Sequence, residues 1–205
     1  MTRYAMIFNL DTCQDQRNCM VACKAKTNSF LGSHFIETFT STQGEYPYPN
    51  TYFIPISCQH CNSPSCVSAC DRGVLSKRDD GIVAVGDVAA CRDCVSKACV
   101  QACPHQAIDC DPKTGEIGKC DLCADLVDAG RQPVCVEGCL SHSAFFGDLD
   151  DPASVVSQIL EAWDPSGCVH QLPSEPGNQP SVYYLLSKKE WKGTDGLRSN
   201  AWHNG

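Results

Sequence analysis

Four cysteine runs recur along the chain, and each obliges its surroundings to fold around something other than apolar side chains. "CQHCNSPSCVSAC" carries Cys58, Cys61, Cys66 and Cys70 with the spacing C-x2-C-x4-C-x3-C, and "CRDCVSKACVQAC" repeats it at Cys91, Cys94, Cys99 and Cys103. "CDLCADLVDAGRQPVCVEGC" holds Cys120, Cys123, Cys135 and Cys139, with a long insertion before the third cysteine. The first run, "CQDQRNCMVAC", keeps Cys13, Cys19 and Cys23 but has Gln16 where another cysteine is due. These runs account for 15 of the 17 cysteines in 205 residues, leaving Cys110 and Cys168 outside. Cysteine on this scale replaces part of a hydrophobic core with cross-links or metal, and the repetition implies that each unit is organised around its own site.

Disulfides, zinc and iron–sulfur clusters compete for such residues. Disulfide scaffolds belong to secreted, usually short chains, and "MTRYAMIFNLDTC" has no charged n-region, long apolar run or cleavage site of a signal peptide. Zinc needs four ligands in a tetrahedron, commonly from two separated C-x2-C knuckles. Three closely spaced cysteines with a fourth three residues on is instead the ferredoxin arrangement, in which the fourth thiolate serves the neighbouring cluster. Iron–sulfur is therefore the favoured reading, with zinc the main alternative. The crossing rule pairs the middle runs and the outer runs. One cluster takes Cys58, Cys61, Cys66 and Cys103, and its neighbour takes Cys91, Cys94, Cys99 and Cys70. A third takes Cys120, Cys123, Cys135 and Cys23. The fourth has Cys13, Cys19 and Cys139, with Gln16 at the missing-ligand position. Three [4Fe–4S] clusters are expected, and at the Gln16 site [3Fe–4S] is slightly favoured over [4Fe–4S] with a non-cysteine ligand.

The formal charge of −8 and the lack of a basic face argue against nucleic acid. No uncharged apolar stretch is long enough to span a bilayer, so a soluble chain is expected, cytoplasmic or exported with a partner. Hairpins are predicted in Gly73–Val85, around Asp80-Gly81, and in Ala107–Cys120. Each x3 step suits a short helical turn, and Ala153–Trp163 has helical apolar spacing. Residues 24–57 read as an insertion, an irregular loop followed by a strand. The expected fold is α+β: two fused ferredoxin-like modules, each for two clusters, with loop insertions and an irregular C-terminal tail. An outer module comprises 1–57 with 104–150, an inner module 58–103, and 151–205 form a helix and a partner-binding tail.

"ISCQHCNSPSCVSAC" and "KCDLCADLVDAGRQPVCVEGC", second and fourth of four groups in this order, resemble the four-cluster iron–sulfur subunits of the dimethyl sulfoxide reductase family of molybdenum enzymes, over roughly residues 3–150. Three departures from that pattern are Gln16, the x4 spacing of the third group, and Asp71 and Leu140 where proline often follows a group. The resemblance implies an electron-transfer subunit, passing single electrons through a line of clusters to or from a large molybdopterin catalytic subunit. A reductase is preferred, with a quinone-linked membrane subunit as a further partner and the Gln16 end next to the catalytic subunit. A free polyferredoxin carrier and a zinc-stabilised interaction module are the alternatives. No phosphate loop, nucleophile–base pair or open metal site suggests catalysis by this chain alone.

Of the remaining candidates, Cys110 and Cys168 are expected as buried free thiols and His60 as a packing residue or a hydrogen-bonding neighbour of a cluster. Asp15 and Asp93 lie inside motifs and either lower a cluster's potential or face solvent. Lys24, Lys26, Lys97, Arg92 and Lys119 are expected to offset cluster charge, and Trp163, Trp191 and Trp202 to pack or to anchor a partner.

Overall fold

The apolar run "YAMIF" forms a strand buried on both faces, and the larger half of the molecule is built around it. In the computed structural model, which describes residues 2–174, 177–194 and 198–199, this strand is β1 (Tyr4–Asn9). It leads through the first cysteine run into helix α1 (Asn18–Thr27). Next come the hairpin of β2 (Ile36–Gln43) and β3 (Asn50–Ser57), and a one-turn helix α2 (Ser65–Ser68). The pair β4 (Leu75–Lys77) and β5 (Val83–Val85) and the one-turn helix α3 (Ala98–Gln101) follow. Then come β6 (Asp109–Cys110), β7 (Ile117–Gly118), and the short helices α4 (Ala124–Asp128) and α5 (Val134–Glu137). The path continues through β8 (Ala144–Asp148), α6 (Val155–Trp163), β9 (Val169–His170), β10 (Val182–Leu185) and β11 (Arg198–Ser199).

β1 lies inside a four-stranded sheet of order β8-β1-β10-β9, antiparallel to β8 and parallel to β10. One face sends Met6 and Phe8 into a core with Ile54 and Tyr184, and the other buries Ile7 against Val156 of α6. A strand covered on both faces reads as a continuous apolar run, without alternation. On α6, Val156, Ile159, Leu160 and Trp163 follow helical spacing and cover the sheet, so Trp163 is a packing residue. Trp191 also packs inward, stacked on His170 with ring centres 4.9 Å apart and on Tyr184 at 5.7 Å. Trp202 lies outside the described residues.

Both predicted hairpins form, as β4–β5 and β6–β7. Two expectations are corrected. The 24–57 insertion holds two paired strands of eight residues each, with exposed Tyr46 and Tyr48 at the tip between them, because "IETFTSTQ" alternates buried and open positions against "NTYFIPIS". The tail is not irregular throughout: "VYYL" of β10 completes the main sheet, and β11 joins the edge of β2. Among the described residues, no helix is long and apolar enough to cross a membrane.

The cysteines divide between two cores. Cys23 and Cys135 sit in the core beneath the four-stranded sheet, with Cys19, Cys120 and Cys139 packed against it. Cys66, Cys91 and Cys99 sit in a separate core with Val74, Leu75, Val83, Ile108 and Ile117, and Cys70 and Cys103 pack against that one. Through Ile108 and Ile117 the Ala107–Cys120 hairpin belongs to the second core, and not with the outer module where its place in the sequence put it.

Candidate iron–sulfur centres

Every described cysteine is free of disulfides, and fifteen thiols gather into four groups. In the first, Cys58 follows the end of β3, Cys66 lies on α2, and Cys103 lies just past α3. Ser65 Oγ donates to the Ala102 carbonyl at 2.7 Å and ties the two helical turns together. Burial pushes the Cys61 thiol up to about 11 and that of Cys66 to about 12, and both have Cys58 and Cys103 as neighbours whose charge raises them further. In the second group, Cys91 closes a 3-10 turn and Cys99 lies on α3. Burial raises Cys99 to about 11, with Cys70, Cys91 and Cys94 beside it. Cys94 is lowered by its Ser96 hydroxyl contact at 3.6 Å and by the Lys97 N–H.

The third group joins α1 to α5. Burial pushes Cys23 up to about 12, helped by Cys123, Asp121 and Cys19, and raises Cys135 beside Cys123 and Cys23. Cys23, Cys120, Cys123 and Cys135 line one small pocket walled by Met6, Ile36 and Pro133. The fourth group, Cys13, Cys19 and Cys139, lines another together with Asp15, Gln16 and Ser143. Burial lifts Cys19 to about 11. Cys139 moves the other way: burial raises it, but hydrogen bonds from the Ser143 and Ser141 hydroxyls and the Ser143 N–H, at 3.3, 3.6 and 3.3 Å, outweigh burial.

Such thiols are costly as bare thiolates, since desolvation disfavours the charged form, and a bound cationic centre reverses that balance. Among the described residues, no three His, Cys, Asp or Glu side chains converge closely enough to hold a single ion. The Cys13 and Cys120 groups surround a pocket rather than a point, which fits a polynuclear centre better than one tetrahedral zinc.

The four groups stand in a row. Cys19 of the Gln16 group acts on Cys23 and Cys135 of the next. Cys120 of that group is raised in turn by Cys58. The last two groups share α2 and α3, which pack on each other.

Gln16 keeps the backbone of a ligand position at the rim of the fourth group's pocket. The residue just before it, Asp15, is left-handed at φ 51°, as is His60 before Cys61 (φ 45°) and Leu122 before Cys123 (φ 57°). Non-glycine residues rarely adopt this conformation. Gln16 itself is exposed, and its Nε2 donates to Gln14 Oε1 at 3.3 Å.

The basic residues near the runs divide by partner. Lys26 pairs with Asp125 at 2.7 Å and Arg92 with Glu116 at 2.6 Å, while Lys24 donates to the carbonyls of Ser29, Phe30 and Ser33. Lys77, Lys97 and Lys119 have no carboxylate partner among the described residues. Lys77 donates to the carbonyls of His60, Cys61 and Gly81, Lys97 to those of Cys91 and Gly115, and Lys119 to those of Val83 and Cys120. Lys77, Ser141 and Ser143 are not among the residues that the sequence points to; the only trace of the serines is "SHS" directly after "CL". Cys110 and Cys168 stand apart from the four groups and contact carbonyls of Asp111 and Ser166.

The family model described as a 4Fe-4S dicluster domain matches residues 49–149. A subunit of the tetrathionate reductase of Salmonella typhimurium is 32% identical, the alignment covering 89% of this chain and 72% of that protein. A component chain of the anaerobic dimethyl sulfoxide reductase of Escherichia coli is also 32% identical, over 73% and 76%. The arsenate respiratory reductase iron–sulfur subunit of a Shewanella species is 28% identical, over 90% and 97%.

Proposed function

This protein belongs to the family of iron–sulfur subunits of dimethyl-sulfoxide-reductase-type oxidoreductases, and from that membership we infer that it transfers electrons within a multi-subunit reductase. Iron–sulfur clusters bound at the thiol groups supply the one-electron redox chemistry. The chain's own residues hold and space them, wall them with apolar side chains, and set the local field through amines and hydroxyls. The observation that carries this reading is the row of four thiol groups. We assign Cys58, Cys61, Cys66 and Cys103 to one cluster, Cys91, Cys94, Cys99 and Cys70 to a second, and Cys120, Cys123, Cys135 and Cys23 to a third. Cys13, Cys19 and Cys139 hold the fourth. The outer and inner ferredoxin-like modules correspond in this reading to the two cores.

The partner is a molybdopterin catalytic subunit, a proposal supported by the names of the relatives, which are components of multi-subunit reductases. A quinone-linked membrane subunit is the further partner the family implies. A free carrier is disfavoured by the same relatives. The test is to purify the native complex and measure iron, molybdenum and electron paramagnetic resonance together. Four clusters with molybdenum are expected; a colourless protein containing zinc would overturn the reading.

At the Gln16 site we propose a [3Fe–4S] cluster, supported by the exposed Gln16 amide, which is a poor ligand beside thiolate and bonds Gln14 instead. Gln16→Cys, placed on a backbone already turned like that before Cys61 and Cys123, is expected to convert a three-iron signal of the oxidised protein into a four-iron type. An unchanged spectrum would overturn the proposal.

A further inference from the structure

Inside the "CQHC" turn one side chain is buried with its hydrogen bonding half complete. His60 is 1% exposed. The Val83 N–H donates to its Nδ1 at 3.0 Å, so Nδ1 carries no proton and the ring's N–H is at Nε2. Nε2 has no hydrogen-bond partner among the described residues. A buried donor left unpaired is rare in native chains and costs as much as a lost hydrogen bond. Burial in an apolar pocket alone would not call for histidine: at the corresponding place in the fourth run, leucine fills the position, with Leu122 2% exposed on the same left-handed backbone.

The charged groups that act on the ring, Lys119 and Lys77, offer it no acceptor, being donors only. The Val83 carbonyl already receives the Lys119 amine, and the carbonyls of His60 and Cys61 receive Lys77. The ring is held by β5 at Nδ1, and the backbone that carries it by Lys77 at the His60 carbonyl. What Nε2 lacks is an acceptor that the described residues do not provide, in the turn that carries Cys58 and Cys61.

We propose that His60 Nε2–H donates a hydrogen bond to a sulfur atom of the iron–sulfur cluster held by Cys58, Cys61, Cys66 and Cys103, making His60 a positioning residue that raises that cluster's potential. The proposal rests on the assignment of those four cysteines as ligands. A donor aimed at cluster sulfur stabilises the reduced, more negative state, and hydrogen bonds of this kind are among the determinants of cluster potential. Because Nδ1 is held by the Val83 N–H, the Nε2 donor acts as a fixed bias on one interior site.

Two variants and one label test it in the intact complex. His60→Leu places at this turn the side chain that the fourth run already accommodates, and His60→Gln keeps an N–H donor. Redox titration followed by paramagnetic resonance is expected to show one midpoint moved to lower potential in His60→Leu, three unmoved, and partial recovery in His60→Gln. Pulsed resonance on protein labelled with ¹⁵N-histidine is expected to show an imidazole nitrogen coupled to that cluster, lost in both variants. Full iron content with no midpoint shift in His60→Leu would overturn the proposal, as would a shift or coupling confined to another cluster. If His60→Leu loses iron from the site, the wild-type nitrogen coupling decides: its presence supports the hydrogen bond and its absence overturns it. Absence of a cluster at these four cysteines in the wild type would instead overturn the ligand assignment beneath it.

Discussion

Lys119 is a long amine at 3% exposure whose partners are two peptide carbonyls, those of Val83 and Cys120. Its charge acts on Cys66 and Cys103 on one side, and its own neighbour Cys120 belongs to the adjoining thiol group. A buried cation without a counter-charge is unfavourable, and it becomes favourable once anionic centres lie on both sides. Lys119→Met keeps the stem and removes the charge. It is expected to lower the midpoints of the two flanking clusters, read by redox titration. It also leaves the buried Val83 carbonyl without this donor, at a cost of roughly 1–3 kcal/mol, read as a lower melting temperature. At this scale the cysteines were legible because their spacing follows directly from the turn that wraps a cluster. Lys77, Ser141 and Ser143 were not, because a hydrogen bond to a carbonyl or a thiol depends on where the backbone passes and leaves no spacing signature.

Among the elements, the two hairpins and α6 could be read locally, since turn residues and a helical stripe are local signals. β10 could not: four residues set among proline, glycine, serine and asparagine owe their strand conformation to a parallel partner at the other end of the sequence. Its exit is clipped by one carboxylate. Asp11 accepts from the Ser187 hydroxyl at 2.6 Å, the Ser187 N–H at 2.9 Å and the Lys188 N–H at 3.2 Å. Partial burial raises its carboxyl, yet these three bonds together hold it below the ordinary value. A carboxyl depressed in the folded state stabilises it above the unfolded value of about 3.9, and the contribution fades as pH falls through the lower folded value. Hydrogen exchange of residues 182–188 is therefore expected to be slow at neutral pH and to accelerate relative to the intrinsic rate below about pH 4. Asp11→Ala is expected to show the accelerated exchange already at neutral pH.

For the whole molecule, the row of thiol groups makes position matter more than ligand identity. The Cys58 group lies between the Cys120 group and the Cys91 group, so in the proposed electron path passage between the two ends crosses it. Cys66→Ala is expected to lower iron content by one cluster and to leave the end sites reducible by a small soluble reductant. Rapid-mixing measurements of the complex are then expected to show electrons supplied at one end no longer reaching the other. Loss of the Gln16 site, by contrast, should interrupt only the exchange at its own end. A line of centres is what the resemblance to four-cluster subunits implies, carried by the order of the four runs. The assignment of the Ala107–Cys120 hairpin to the inner core was not foreseeable, because Ile108 and Ile117 are apolar enough for either core and only the strand path chooses between them.

Pairing of β1 with β10 also puts the molecule's parts on a clock. Asp11 and Ser187, just past those strands, are 176 residues apart, and closing so long a loop is entropically late compared with local contacts. During synthesis the residues from Cys58 to Cys103 emerge together and can enclose their two centres while the ribosome is still translating. Cys13, Cys19 and Cys23 wait far longer for Cys120, Cys135 and Cys139, and their sheet lacks an inner strand until residue 185 has been added. The N-terminal cysteines, first to leave the ribosome, are therefore the last to be enclosed. They are the ones that must be kept reduced in the interval.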